Sequence, residues 1–190
     1  MRVIGGSARG RQLTSFNGRE IRPTPDRVRE ALFSILYSKR GPLSGVTVLD
    51  LFAGSGALGI EALSRGARHA WFVDSSRPAI DIIRQNLARC ELNDRATVIM
   101  TDLWGALPGL VGVGPFDLLF ADPPYAADYA PRLLQEVSRL GLLASDGLLC
   151  LETAPAAAVP DQVNNLALLD RRRYGSTMLH FFQPAVEEPA

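Results

Sequence analysis

The sequence predicts an α/β fold in which a mostly parallel sheet is covered by helices on both faces. Short runs of β-branched residues and leucine alternate with stretches of helical spacing from residue 46 onward, as in strands buried on both sides. A glycine-rich turn joins the first of these strands directly to a helix, the connection at which parallel sheets bind ligands. The chain closes differently. Residues 167–174 and 177–183 read as two strands joined tightly at Gly175-Ser176, with no helix between them, so the sheet is expected to end in an antiparallel hairpin.

Residues 1–25 read as short extended pieces broken by Gly5-Gly6, Gly10, Asn17-Gly18 and Arg22-Pro23-Thr24-Pro25, with Asn17-Gly18 a candidate hairpin turn. A helix is predicted over 26–38. Val28, Leu32, Ile35 and Leu36 fall at helical spacing, Asp26 favours the N-terminus and Gly41-Pro42 ends it. Strands are predicted at 46–51, 69–73, 96–100, 116–121 and 147–152, and helices at 57–65, 77–91 and 128–140, with a short one at 102–107. The 190 residues suit one domain, with 1–25 a basic arm on a body of 26–190.

Composition narrows the class. A hydrophobic fraction of 47% and a charged fraction of 21% belong to a globular chain that can bury a core, not to a disordered one. No apolar run reaches the roughly 18 residues of a membrane span, and Met1-Arg2-Val3-Ile4-Gly5-Gly6 does not read as a signal peptide. A cytoplasmic monomer is therefore the expectation. Cys90 and Cys150 show no metal-ligand or redox spacing, and Cys150 lies in an apolar run, where a free cysteine acts as a small hydrophobe. No metal is expected.

The net charge of zero hides an asymmetry, because residues 1–40 carry nine basic side chains against three acidic ones. A basic arm on an acidic body points to a polyanionic partner. Arg9, Arg11, Arg22, Arg27 and Arg29 are the candidates for phosphate contact, since the guanidinium fork matches phosphate geometry. Two alternatives stand beside that reading: a solvated face, and pairing of Arg27 and Arg29 with Asp26 or Glu30 on their own helix. The run Arg171-Arg172-Arg173 falls in a predicted strand and reads as edge protection.

The glycine turn is Asp50-Leu51-Phe52-Ala53-Gly54-Ser55-Gly56-Ala57-Leu58-Gly59. Gly54 and Gly56 allow a sharp turn and close approach of backbone to a ligand. The pattern is also that of a dinucleotide site, with Asp74 twenty residues after Gly54. Two features favour S-adenosylmethionine instead. Asp50, ending its strand, suits a cationic methionine group and would repel a pyrophosphate. A later acid, Asp102, follows the third strand where an adenine amine can be held. Each acid has a local reading too: Asp50 securing the loop, Asp74 and Asp102 starting helices.

The stretch Phe116-Asp117-Leu118-Leu119-Phe120-Ala121-Asp122-Pro123-Pro124-Tyr125 carries the most chemistry. A strand delivers Asp122, two prolines stiffen the turn, and an aromatic follows. Prolines have no N–H, so the carbonyls of Pro123 and Pro124 can face a ligand without local competition. A carboxylate, free carbonyls and a flat ring suit an exocyclic amine on a nucleobase, whose lone pair is delocalised and needs positioning. Stacking on Tyr125 is worth about 1–3 kcal/mol.

With these motifs the chain resembles the class I methyltransferases, and more narrowly the bacterial 16S rRNA (guanine(966)-N(2))-methyltransferase family. The markers are Arg2-Val3-Ile4-Gly5-Gly6, Gly10-Arg11, Arg22 through Phe33, Asp50–Gly59 and Asp122–Tyr125. The resemblance implies a Rossmann-like, seven-stranded sheet with an antiparallel last strand. It also implies methyl transfer from S-adenosylmethionine to the N2 amine of a guanine in small-subunit rRNA, free or in a ribosomal particle. Asp122, Pro123, Pro124 and Tyr125 would then hold the guanine. Asp50, Phe52, Ala53, Gly54, Ser55 and Gly56 would cradle the cofactor, with Asp74 and Ser75 at its ribose and Asp102 and Leu103 at its adenine. The rivals are a DNA adenine or cytosine amino methyltransferase, a nicotinamide oxidoreductase and a non-catalytic RNA-binding module with a relic pocket.

Overall fold

The computed structural model describes residues 1–16, 26–124 and 129–185, in two units that meet in sequence at Thr101–Asp102. The expectations at Asn17-Gly18, Arg22 and Tyr125 lie outside the described residues.

In the first unit, helix α1 (Asp26–Arg40) precedes β1 (Thr47–Leu51), α2 (Ala57–Ser64), β2 (His69–Asp74), α3 (Arg77–Cys90) and β3 (Ala96–Met100). The three strands are parallel in the order β3-β2-β1, with Leu49 opposite Trp71 and Phe72 opposite Val98. Asp26 in the first turn of α1 and Lys39 and Arg40 in its last complement the helix dipole. Ser76 caps α3 through the Ala79 N–H. Val48, Leu49, Leu51, Ile60, Phe72 and Ile83 are fully enclosed between helices and strands. Trp71 is half-buried and tilts against His69.

The N-terminal segment is knit into this unit. Val3 N–H donates to the Arg11 carbonyl and Gly10 N–H to the Val3 carbonyl, closing a small loop. The Glu61 carboxylate of α2 accepts the Ile4 and Gly5 N–H groups at 2.7 and 2.8 Å. Ser64 receives the Ala8 N–H on its hydroxyl and donates to the Gly5 carbonyl.

In the second unit, α4 (Leu103–Leu110), β4 (Phe116–Ala121) and α5 (Ala130–Arg139) lead to β5 (Leu143–Thr153), β6 (Gln162–Val163), β7 (Leu166–Tyr174) and β8 (Thr177–Pro184). The order is β4-β5-β8-β7-β6; β4 and β5 are parallel, and the later pairings are antiparallel. Tyr174 pairs Thr177 across Gly175-Ser176, as the hairpin expectation requires. The described residues carry eight strands where seven were expected. The addition is β6, which is too short for any periodicity to reveal. It pairs Val163 with Leu166 through Asn164 at φ 50°, a conformation asparagine tolerates in tight hairpins. No helix among the described residues is long and apolar enough to cross a membrane, and no metal-binding cluster occurs among them.

Candidate functional site

The strand ends carry the predicted acids. Asp50, in β1, is 3% exposed and accepts the Gly59 N–H at 2.9 Å. Asp74, ending β2, uses both oxygens: the Gly54 N–H donates to one and the Ser76 N–H to the other, each at 2.8 Å. Asp74 therefore ties the glycine loop to the start of α3. Ala53 adds a backbone bond to the Val73 carbonyl. Phe52 and Gly54 both sit at φ 56°, and Gly56 at 74° opens α2 in the left-handed conformation that glycine adopts freely. Gly59 is required for another reason. A Cβ there would lie 2.3 Å from the Phe72 ring and 3.1 Å from Asp50 Oδ2, so only glycine lets α2 pack so closely on β2. Ser55 is half-buried and Ser75 exposed beside these groups.

Burial pushes the Asp50 carboxyl up to about 8, the Gly59 N–H opposing that rise and the Asp74 charge adding to it. A cationic group beside Asp50 would return it to the ionised form; a pyrophosphate would push it higher still. The residues of this end of the unit thus fit the methionine part of S-adenosylmethionine better than a dinucleotide.

Asn86 and Glu61 were not singled out in the sequence. Asn86 is fully buried on α3, donates to the Ser55 and Thr14 carbonyls at 2.9 Å each, and accepts the Thr14 N–H at 2.8 Å. It clamps the glycine loop and the N-terminal segment together. A signal existed: Asn86 interrupts the apolar face formed by Ile80, Ile83, Leu87 and Cys90, where an unpartnered amide would be costly. Glu61, on α2, is 1% exposed.

The arginines divide. Arg9 and Arg27 are exposed. Arg11 donates to the Arg89 carbonyl at 2.7 Å and pairs with Glu91 at 3.1 Å, partly open to solvent. Arg29 departs from the phosphate expectation. It is fully buried, donates to the Arg2 carbonyl at 2.5 Å and pairs with Asp26 at 3.1 Å, so it offers a phosphate no surface. Burial lowers its pKa.

In the second unit Asp102 is exposed and caps α4 through the Gly105 N–H at 3.1 Å, while Leu103 is buried beneath it. Trp104 stacks on Tyr129 at 6.0 Å and carries the Arg132 guanidinium 3.8 Å from its ring centre. At the end of β4, Asp122 is half-buried, Pro123 buried and Pro124 exposed. Thr153, ending β5, meets the His180 Nε2 at 2.9 Å, and Arg171 Nε donates to the opposite ring nitrogen at 3.1 Å. That bond assigns the ring proton to Nε2, and burial holds this histidine down at about 4. Arg171 continues to Asp161 at 2.8 Å. It thus braces the hairpin, and Arg171, Arg172 and Arg173 are all exposed.

Comparison with known proteins agrees with this arrangement. The family described as Conserved hypothetical protein 95 matches residues 1–183. YlbH of Bacillus subtilis (strain 168) is 39% identical over 179 residues, 93% of this chain and 95% of that protein. Ribosomal RNA small subunit methyltransferase D of Escherichia coli (strain K12) is 33% identical over 184 residues, 96% of this chain and 89% of that one. The solved structure of yhhF from Escherichia coli superposes with a TM-score of 0.82 at 32% identity, covering 98% of this chain and 99% of its own. The fold is thus the Rossmann-like methyltransferase fold, and this chain belongs to the Conserved hypothetical protein 95 family.

Proposed function

We propose that this protein transfers a methyl group from S-adenosylmethionine to the exocyclic N2 amine of a guanine in small-subunit rRNA. The observation that carries the reading is the Asp122-Pro123-Pro124 turn at the end of β4, an acceptor-rich turn whose two prolines supply no competing N–H. The 33% identity to Ribosomal RNA small subunit methyltransferase D of Escherichia coli (strain K12) over nearly the whole chain supports the substrate class.

Asp50, the Phe52–Gly56 loop and Asp74 hold the methionine and ribose parts of the cofactor, and Asp102 with Leu103 its adenine. Bound there, S-adenosylmethionine supplies an electrophilic methyl group on a sulfonium. Asp122 and the Pro123 carbonyl accept the two N–H groups of the guanine amine, turning its nitrogen lone pair toward the methyl. Tyr125 stacks on the base, which must be unpaired or flipped to enter. The rate gain comes from alignment rather than from a strong base. The amine sheds one proton to solvent once the new N–C bond has formed. Exposed Arg9 and Arg27, with the partly open Arg11, contact phosphates, a salt-dependent contribution without sequence information.

Tritiated S-adenosylmethionine, incubated with small-subunit RNA and particles from cells lacking the enzyme, tests the proposal by nucleoside analysis. Label in N2-methylguanosine is expected. Label in another methylated base would overturn the guanine assignment, and label in DNA alone would overturn the substrate.

A further inference from the structure

We propose that the β7–β8 hairpin is a second contact for the RNA backbone, with Arg172 and Arg173 taking phosphates close to the guanine held at the Asp122 turn. The inference goes beyond the arginines of the N-terminal segment and rests on the rRNA methylation proposed above.

Strand directions place the hairpin. β4 and β5 run parallel, β8 runs against β5, and β7 runs against β8. β7 therefore points the same way as β4 and β5, and its carboxyl end lies at the sheet end where Asp122 leaves β4. Open α/β sheets bind their ligands at that end. The register sets the height. Ala121, Leu151, His180 and Arg171 lie in one row across the strands, and Glu152, Leu179 and Arg172 form the next. Asp122 follows Ala121, so it stands level with that second row, and Arg173 and Tyr174 reach further out. Three strand spacings separate β4 from β7, roughly 14 Å. That is too far for the base held at Asp122 and within reach of its neighbours along the RNA.

The three arginines are differently engaged. Arg171 is tied to His180 and Asp161 and belongs to the bracing of the hairpin. Arg172 pairs with Asp170 at 3.1 Å, yet its side chain is 58% exposed, and an exposed pair contributes little and exchanges readily for another anion. Arg173 is exposed, its Nε donates to the Gly175 carbonyl at 3.2 Å, and no carboxylate pairs with it among the described residues. That bond uses one of the five N–H donors of a guanidinium, and the remaining fork matches a phosphate. Tyr174, half-buried, adds an aromatic ring to the same tip, a combination suited to single-stranded RNA.

Edge protection, the reading the sequence suggested for this run, accounts for charge along an unpaired strand. β6 pairs with β7 only at Leu166 and Ala167, so charge anywhere beyond them would serve. It does not account for arginines gathered at the carboxyl end of β7, level with Asp122 and beyond it.

The test compares Arg173→Gln with Arg139→Gln on an rRNA fragment that the wild-type enzyme methylates. Arg139 is also exposed, and it ends α5 shortly before β5 begins, at the opposite end of this part of the sheet. Binding is read by fluorescence anisotropy across a salt series with S-adenosylhomocysteine present. Arg173→Gln should weaken binding about four- to fivefold at physiological salt and lower the slope of log affinity against log salt by about 0.7–0.9. KM for RNA should rise accordingly, while kcat at saturating RNA, S-adenosylhomocysteine affinity and melting temperature keep their wild-type values. Adding Arg172→Gln should about double the fall in slope. Arg139→Gln should leave RNA affinity and slope as they are, and Arg173→Lys, which keeps the charge, should keep the slope.

An unchanged slope in Arg173→Gln, or a loss matched by Arg139→Gln, would overturn the proposal. So would precipitation or a lower melting temperature at an unaltered slope, the signature of edge protection. A wild-type enzyme that methylates no RNA would instead overturn the function proposed above, a result seen before any variant is made.

Discussion

Around the glycine loop the backbone is held by hydrogen bonds to buried and half-buried side chains, whereas at the Asp122 turn it is held by pyrrolidine rings. Asp74 ties Gly54 to the start of α3, Asn86 grips Ser55 and Thr14, and Asp50 secures Gly59. Pro123 and Pro124 stiffen their turn covalently and leave their carbonyls without a neighbouring proline N–H to satisfy. The difference suits the two ligands of the proposed function: a cofactor bound in every cycle would be met by a cradle fixed in advance, and a base pulled from RNA by acceptors ready for its N–H groups. Damage to the first region should therefore appear in stability and cofactor affinity, and damage to the second in turnover.

Asn86→Ala attacks the first region hardest. It strands the Thr14 N–H and carbonyl and the Ser55 carbonyl, at about 1–3 kcal/mol for each group that water fails to reach. A fall in melting temperature on the order of 10 °C is expected for a chain of this size, with weaker S-adenosylhomocysteine binding. An unchanged melting curve would remove Asn86 from its clamping role. Gly59→Ala comes next. The new methyl must displace Phe72 or shift α2, an overpacking cost of about 1–3 kcal/mol, read in the same melt. Its effect should exceed that of Gly112→Ala, where a Cβ would meet nothing within 4 Å.

A pH series sharpens the assignment of Asp50. Its folded pKa of about 8 lies above the unfolded aspartate value, so its contribution to stability is greatest in acid and is lost as pH rises from about 4 to 8. A cationic ligand acts in the opposite sense, because it must drive the proton off. Affinity for S-adenosylmethionine should rise by roughly tenfold per unit below pH 8 and then level. Calorimetry on wild type and Asp50→Asn checks this; an equal slope in both would clear Asp50 of contact with the cation. The smallest effect is expected from Arg9→Ala with Arg11→Ala. RNA binding should weaken a few-fold and its salt slope should fall by about one to two. An unaltered slope would take the arm out of the interface.

The regular elements were legible because their signals are local. The leucine and β-branched runs of β1, β4 and β5, the Asp26 and Gly41 boundaries of α1 and the Gly175-Ser176 turn all act within a few residues. What escaped was tertiary. Nothing near Glu61 announces that its carboxylate will receive the N–H groups of Ile4 and Gly5 from 57 and 56 residues away. Arg29 reads as one more basic side chain of an arm, and only the fold reveals that it is enclosed and holds the Arg2 carbonyl. The acids were recognised by position, yet the bonds of Asp50, Asp74 and Asp102 to nearby N–H groups show that each also performs the local task a helix or loop needs.

The most direct test of this division of labour is Asp122→Ala, measured twice on the same preparation. Calorimetry with S-adenosylhomocysteine should return the wild-type affinity, while methyl transfer to small-subunit RNA falls by a hundredfold or more, on the order expected when a positioned reactant is released. Methylation at the wild-type rate, or cofactor affinity lost together with turnover, would contradict it.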